Sequence, residues 1–117
     1  MAILLATHNL GVVARVCDRV SVMYAGRLVE SASVYDFFGD PKHPYSQGLI
    51  GAVSAAFEKR RRGPPGVPGR PPVFGELPPG CVFHPRCGYA MDICKRSPPP
   101  VVAFPDRTVR CWLYRLH

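Results

Sequence analysis

Residues 58–80 hold seven prolines and five glycines in twenty-three positions and open on the basic run Lys59-Arg60-Arg61-Arg62. Proline fixes φ and carries no amide N–H, while glycine adds backbone freedom, so such a stretch cannot sustain a helix, a ladder or a core. Its composition predicts an extended, partly polyproline, semi-rigid linker. That linker splits the 117 residues into flanks spanning 1–57 and 81–117. A unit of about 60 residues buries only about 60% of the surface its unfolded chain exposes. Each flank is therefore expected to need a partner, a metal or the rest of a larger fold.

Charge changes at the same boundary. Residues 1–57 carry Arg15, Arg19, Arg27 and Lys42 against Asp18, Glu30, Asp36 and Asp40, and so have no net charge, while the remainder carries the whole +7. The apolar stretch from Ala2 to Ala6 is too short for a signal h-region and follows no basic residue. No apolar run approaches the ~18 residues of a membrane span. A cytosolic protein is expected, and five cysteines in that reducing compartment suggest metal before disulfide.

Before the linker, the run Ile3-Leu4-Leu5-Ala6 has the unbroken apolar character of a strand buried on both faces. Leu10, Val13, Ala14 and Cys17 recur at helical spacing behind Asn9, a capping residue, and predict a short amphipathic helix in which Cys17 is a small core hydrophobe. Residues 19–24 alternate, Ala25-Gly26 is a turn, and residues 27–30 continue, which predicts a β-hairpin. Ser33 is placed to cap a helix running to about Phe38 and stopped by Gly39, Asp40 and Pro41. Pro44 suits the first turn of a further helix with Leu49, Ile50, Val53 and Phe57 on its apolar face.

After the linker, Cys81, Cys87, Cys94 and Cys111 are separated by five, six and sixteen residues. Apart from them, local order rests on a few apolar residues such as Phe83, Phe104 and Trp112, so these cysteines are candidate ligands of a stabilising metal. Structural zinc usually takes cysteine pairs two to four residues apart. Wider loops suit a bulkier cluster whose irons each receive a separate thiolate. Arg86, Lys95, Arg96 and Arg110 lie near the cysteines in sequence and could balance the negative charge of such a cluster. Spacing alone leaves zinc and an iron–sulfur cluster both open.

The segment LLATHNLGVVARVCDRVSVMYAGRLVE resembles the region after the Walker B strand of ABC-transporter ATPases. HPYSQGLIGAV, LPPGCVFHPRCGYAMDIC and the final Arg110-Cys111 resemble the carboxy-terminal extension of the ATP-binding subunits of oligopeptide, dipeptide and nickel importers. The resemblance implies an α+β fold in which residues 1–57 are the truncated edge of an ABC ATPase α/β domain, with a strand, a helix, a β-hairpin and two short helices. Residues 58–80 would be the linker and 81–117 a small irregular four-cysteine extension. It further implies that His8 is the switch histidine that contacts the γ-phosphate of ATP and helps position the attacking water. At the carboxyl end of a strand, such a side chain would reach the crevice where α/β sheets bind ligands. The family usually has Asp where this chain has Asn9, which leaves the cap intact but removes a charge. The resemblance also places Cys81, Cys87, Cys94 and Cys111 on positions that hold a 4Fe-4S cluster in some members, which favours iron–sulfur over zinc. The implied partners are permease subunits and a second ATP-binding subunit, with the protein peripheral to the inner face of the cell membrane and powering peptide import.

The sequence contains no G-x-x-x-x-G-K-[ST] phosphate loop, no Walker B carboxylate before His8 and no LSGGQ-type signature. ATP and magnesium therefore belong to the full-length context, and the chain alone is expected neither to bind ATP tightly nor to hydrolyse it. A different class of reading is a free-standing basic metal module that binds nucleic acid, motivated by the charge of residues 58–117. No nucleic-acid-binding motif accompanies that charge, and no specific nucleic acid is expected. A third is a redox-regulatory cysteine module that alters how paired ATPase subunits pack.

Overall fold

Alternation along residues 19–24 builds the first strand. β1 (Arg19–Tyr24) buries Val20, Val22 and Tyr24 and exposes the residues between them. Ala25 and Gly26, at φ 51° and 81°, both adopt the left-handed conformation of a primed hairpin turn. β2 (Arg27–Ser33) then returns antiparallel and extends three residues beyond the expected Glu30. A bulge shifts the register, so that Met23 faces Leu28 while Val22 faces Glu30 and Val29 is the additional residue. This inversion of parity buries Val29 and the Glu30 carboxylate side by side. The computed structural model describes residues 1–57 and 75–115.

The second half of the chain enters the same sheet. β3 (Val101–Ala103) pairs with β4 (Arg107–Arg110), and β4 pairs with β2, giving an antiparallel order β1-β2-β4-β3. The stretch after Gly80 is thus less irregular than expected and completes a sheet begun by the hairpin. Of the expected linker, residues 58–74 lie outside the described residues, while 76–80 are loop without helix or strand.

Local sequence sets the helices. α1 (Leu10–Val16) starts where the Asn9 side chain accepts from the N–H groups of Gly11 and Val12, and Cys17 closes it and packs against the core as expected. α2 (Val34–Gly39) starts at Ser33, whose hydroxyl accepts from the Asp36 N–H at 3.1 Å. α3 (Pro44–Phe57) opens on its proline. Two shorter helices, α4 (Asp92–Arg96) and α5 (Trp112–Arg115), flank β3 and β4. Phe37 and Ala32 are fully buried, and the core continues through Val29, Tyr24 and Phe83. Phe83 meets Tyr24 edge-on at 5.1 Å and Tyr45 at 5.4 Å, which joins the cysteine-bearing segment to the hairpin and to α3.

The expected strand at Ile3–Ala6 does not form. Residues 1–9 have no regular structure, and Ile3 and Leu4 are 83% and 98% exposed. A strand buried on both faces needs neighbours to supply its ladder and cover its side chains. Among the described residues no segment pairs with this one.

Candidate metal centre

Gly80 begins the site. Its φ of 74° is left-handed, and its α-carbon packs so closely on α4 that a Cβ would overlap the Cys94 carbonyl oxygen and lie 2.8 Å from the Lys95 carbonyl carbon. That contact lets the Cys81 N–H donate to the Cys94 carbonyl at 2.7 Å, bringing two cysteines together. A single 3₁₀ turn, His84–Arg86, carries the chain to Cys87. The His84 N–H donates to the Cys81 carbonyl, the Cys87 N–H donates to the His84 carbonyl, and the Cys87 Sγ accepts from the Tyr89 N–H at 3.3 Å. Cys111 arrives from the end of β4, and the neighbouring Trp112 Nε1–H donates to the Ser97 carbonyl at 2.9 Å, just beyond α4.

Cys81, Cys87, Cys94 and Cys111 thereby line one small concavity, part of it open to solvent, which also includes His43, Phe83, His84 and Trp112. No disulfide joins them, since all five cysteines are free. Burial raises the thiols of Cys81 and Cys87, and neighbouring cysteines raise them further. Burial pushes Cys111 up to about 12, with added repulsion from Cys81, Cys87 and Cys94. The thiols of Cys81, Cys87 and Cys111 therefore favour their neutral form, and a bound cation reverses that preference because it stabilises thiolate. Among the described residues, no group of three or more His, Cys, Asp or Glu side chains is arranged to hold a metal ion as it stands. A tetrahedral zinc with bonds of ~2.3 Å would hold its four sulfurs about 4 Å apart.

The nearby cations divide into two kinds. Arg86 donates to the Tyr24 hydroxyl at 3.1 Å and lies over its ring, and Arg110 donates to the Leu28 carbonyl at 3.2 Å, so both fasten the cysteine segment to the hairpin. Lys95 and Arg96 are exposed on α4. His8 is not brought to this site. It is exposed in the unstructured segment ahead of α1, next to the capping Asn9.

Sequence reasoning missed the buried polar network that holds the segments together. The Glu30 carboxylate accepts from the backbone N–H groups of Lys42 and His43 and from Arg107 Nη1 at 2.8 Å. Arg107 also donates to the Asp36 and Asp40 carbonyls at the end of α2 and to Asp106. Glu30 and Arg107 lie 77 residues apart in the chain, so no local signal links them. His43 is 2% exposed and accepts from the Tyr45 N–H through Nδ1 at 3.0 Å. Burial lowers its pKa from 6.5 to about 4, against opposing effects of the Glu30 carboxylate and the Arg110 backbone. The folded ring is therefore neutral at pH 7. Between pH 6.5 and 4 the unfolded state binds the extra proton, so stability should fall as pH drops through that window, by about 3 kcal/mol at most, and level off below it. Urea unfolding at pH 7 and pH 4.5 measures this loss, and it should shrink in His43→Gln.

A family model for the oligopeptide/dipeptide transporter C-terminal region matches residues 29–94, more than half of the chain. The oligopeptide transport ATP-binding protein OppD of Salmonella typhimurium is 46% identical over 111 residues, covering 95% of this chain and 33% of OppD. AppD of Bacillus subtilis, also named an oligopeptide transport ATP-binding protein, is 45% identical over 117 residues, covering 97% of this chain and 34% of its own length. The dipeptide transport ATP-binding protein DppD of Caldanaerobacter subterraneus is 40% identical over 115 residues, covering 97% and 35%. The chain thus spans about a third of the length of these curated relatives. Most of β2, the buried histidine corner and the first three cysteines fall inside the matched residues, and the chain belongs to the C-terminal region of the ATP-binding subunits of oligopeptide and dipeptide ABC transporters.

Proposed function

We propose that these residues serve in the ATP-binding subunit of a peptide importer and that Cys81, Cys87, Cys94 and Cys111 there hold a 4Fe-4S cluster. The convergence of these four cysteines on one concavity carries this reading. The donor chemistry fits, because four separate cysteine thiolates are the ligands that a cubane cluster takes. Such a cluster would supply a rigid, redox-sensitive staple between the 3₁₀ turn, α4 and the end of β4. The protein's own groups do the positioning: Gly80 sets Cys81 against Cys94, the 3₁₀ turn places Cys87, and Trp112 ties the Cys111 segment to the end of α4.

In this reading His8 lies ahead of α1 as the switch histidine of a nucleotide site completed by other parts of the subunit, where ATP and magnesium bind. The names of the relatives support di- and oligopeptides as cargo. Permease subunits and a second ATP-binding subunit are the partners, at the inner face of the membrane. Among the described residues no helix is long and apolar enough to cross a membrane. The test is ATP-driven uptake of labelled di- and oligopeptides by vesicles carrying the importer whose ATP-binding subunit includes this chain. His8→Ala is expected to lower uptake by about 100-fold, the usual contribution of a group that handles a proton in the transition state. Uptake within about twofold of wild type would contradict the role of His8.

A further inference from the structure

The Cys81 peptide is fastened on both sides. Its N–H donates to the Cys94 carbonyl at 2.7 Å, and its carbonyl accepts twice from His84, from the backbone N–H at 3.1 Å and from the ring Nδ1 at 2.9 Å. A carbonyl oxygen has two lone pairs and no proton, so this bond requires a hydrogen on Nδ1. The His84 carbonyl in turn accepts from the Cys87 N–H at 3.2 Å. One chain of hydrogen bonds therefore runs from Cys94 through Cys81 and His84 to Cys87, three of the four cysteines that line the concavity, and His84 lines it with them. Any residue except proline could supply the backbone part of that chain. The ring bond depends on the histidine side chain. Pro85 follows in the same 3₁₀ turn, and its own ring fixes φ there, so the turn is stiff immediately after His84.

We propose that His84 is the positioning residue for Cys81 and Cys87, its ring bond to the Cys81 carbonyl holding the five residues between them folded before any metal arrives. The inference rests on the reading of the four cysteines as one ligand set. A loop already closed on its own turn does not have to be ordered by the cluster, so binding loses less to chain entropy. Cys94 and Cys111 have other anchors, α4 for the first and the Trp112 bond to the Ser97 carbonyl for the second, and they serve as references within the same molecule.

Two variants of similar shape separate positioning from space filling. His84→Asn places an amide N–H near the Nδ1 position and can still donate to the Cys81 carbonyl, whereas His84→Leu has no donor. The alkylation rate of each cysteine in metal-free wild-type and variant protein is read by peptide mass spectrometry. Iron loss to a chelator is followed in protein loaded with iron and sulfide. His84→Leu is expected to speed alkylation of Cys81 and Cys87 by about tenfold, as loss of one hydrogen bond allows, with Cys94 and Cys111 within about twofold of wild type. Iron should leave its loaded form faster, and His84→Asn should stay near wild type in both readouts. Equal effects of the two variants, or uniform acceleration at all four cysteines, would overturn the proposal. So would a wild-type His84 ring that nitrogen NMR shows protonated on Nε2 alone, since Nδ1 could then not donate. If His84→Leu does not fold, His84→Gln takes its place, because its amide stands nearer the Nε2 position, and alkylation rates equal to those of His84→Asn would count against the ring bond. Wild-type protein that takes up no iron and sulfide would refute the iron–sulfur reading, while the alkylation rates would still judge His84.

Discussion

Arg107→Ala is expected to cost about 3–5 kcal/mol, enough to leave a chain of this size largely unfolded, because it strands the Glu30 carboxylate in the core. The Arg107 and Glu30 side chains are 2% and 0% exposed and 2.8 Å apart. The guanidinium also satisfies the Asp36 and Asp40 carbonyls, where a cation at the end of α2 is favoured by the helix dipole. Removing it leaves three acceptors buried or half-buried without that donor. The double variant Glu30→Met with Arg107→Leu should lose less than Arg107→Ala, since an apolar pair in place of a buried ion pair leaves no uncompensated charge. Urea unfolding of the three proteins measures the coupling. Arg107→Ala within about 0.5 kcal/mol of wild type would show that the network does not hold the sheet to the α2–α3 corner.

The second large effect is expected at Gly80. Alanine there meets left-handed strain of about 1–2 kcal/mol and a clash with the α4 backbone that adds about 1–3 kcal/mol. The atoms it meets are backbone atoms of Cys94, Lys95 and Arg96, which cannot swing aside as a side chain can. The hydrogen bond from Cys81 to Cys94 should be lost with the contact, and iron uptake should fall together with stability. Gly75→Ala is the control, because Gly75 also has positive φ but its Cβ would meet nothing within 4 Å. If the two variants lose equal stability and bind equal iron, close packing at Gly80 does not organise the cysteines.

Much of the first half was legible because its signals are local. Asn9, Ser33 and Pro44 mark helix starts through their own side chains or ring, and Ala25-Gly26 closes the hairpin through its own backbone. The run Ile3–Ala6 misled because apolar composition states what a segment could bury, not whether neighbours are present to cover it. The bulge at Val29 was hidden for a related reason. Its effect is to turn Glu30 inward, and that carboxylate is tolerable there only because Arg107 arrives from the far end of the chain. β3 and β4, three and four residues long, sit among prolines and charges that read as loop, and β4 is ordered by pairing with β2. For the site, spacing singled out the four cysteines, and the fold brings them to one concavity. Gly80, which sets Cys81 against Cys94, acts through a contact across the fold and left no pattern of its own.

The most direct test of the central claim is the visible absorption spectrum of the chain produced anaerobically with iron and sulfide supplied, read together with its iron, sulfide and zinc content. The account predicts a brown protein with a broad band near ~400 nm and about four irons per chain, lost on Cys87→Ala. A colourless protein with about one zinc, or protein that retains no metal at all, would contradict it.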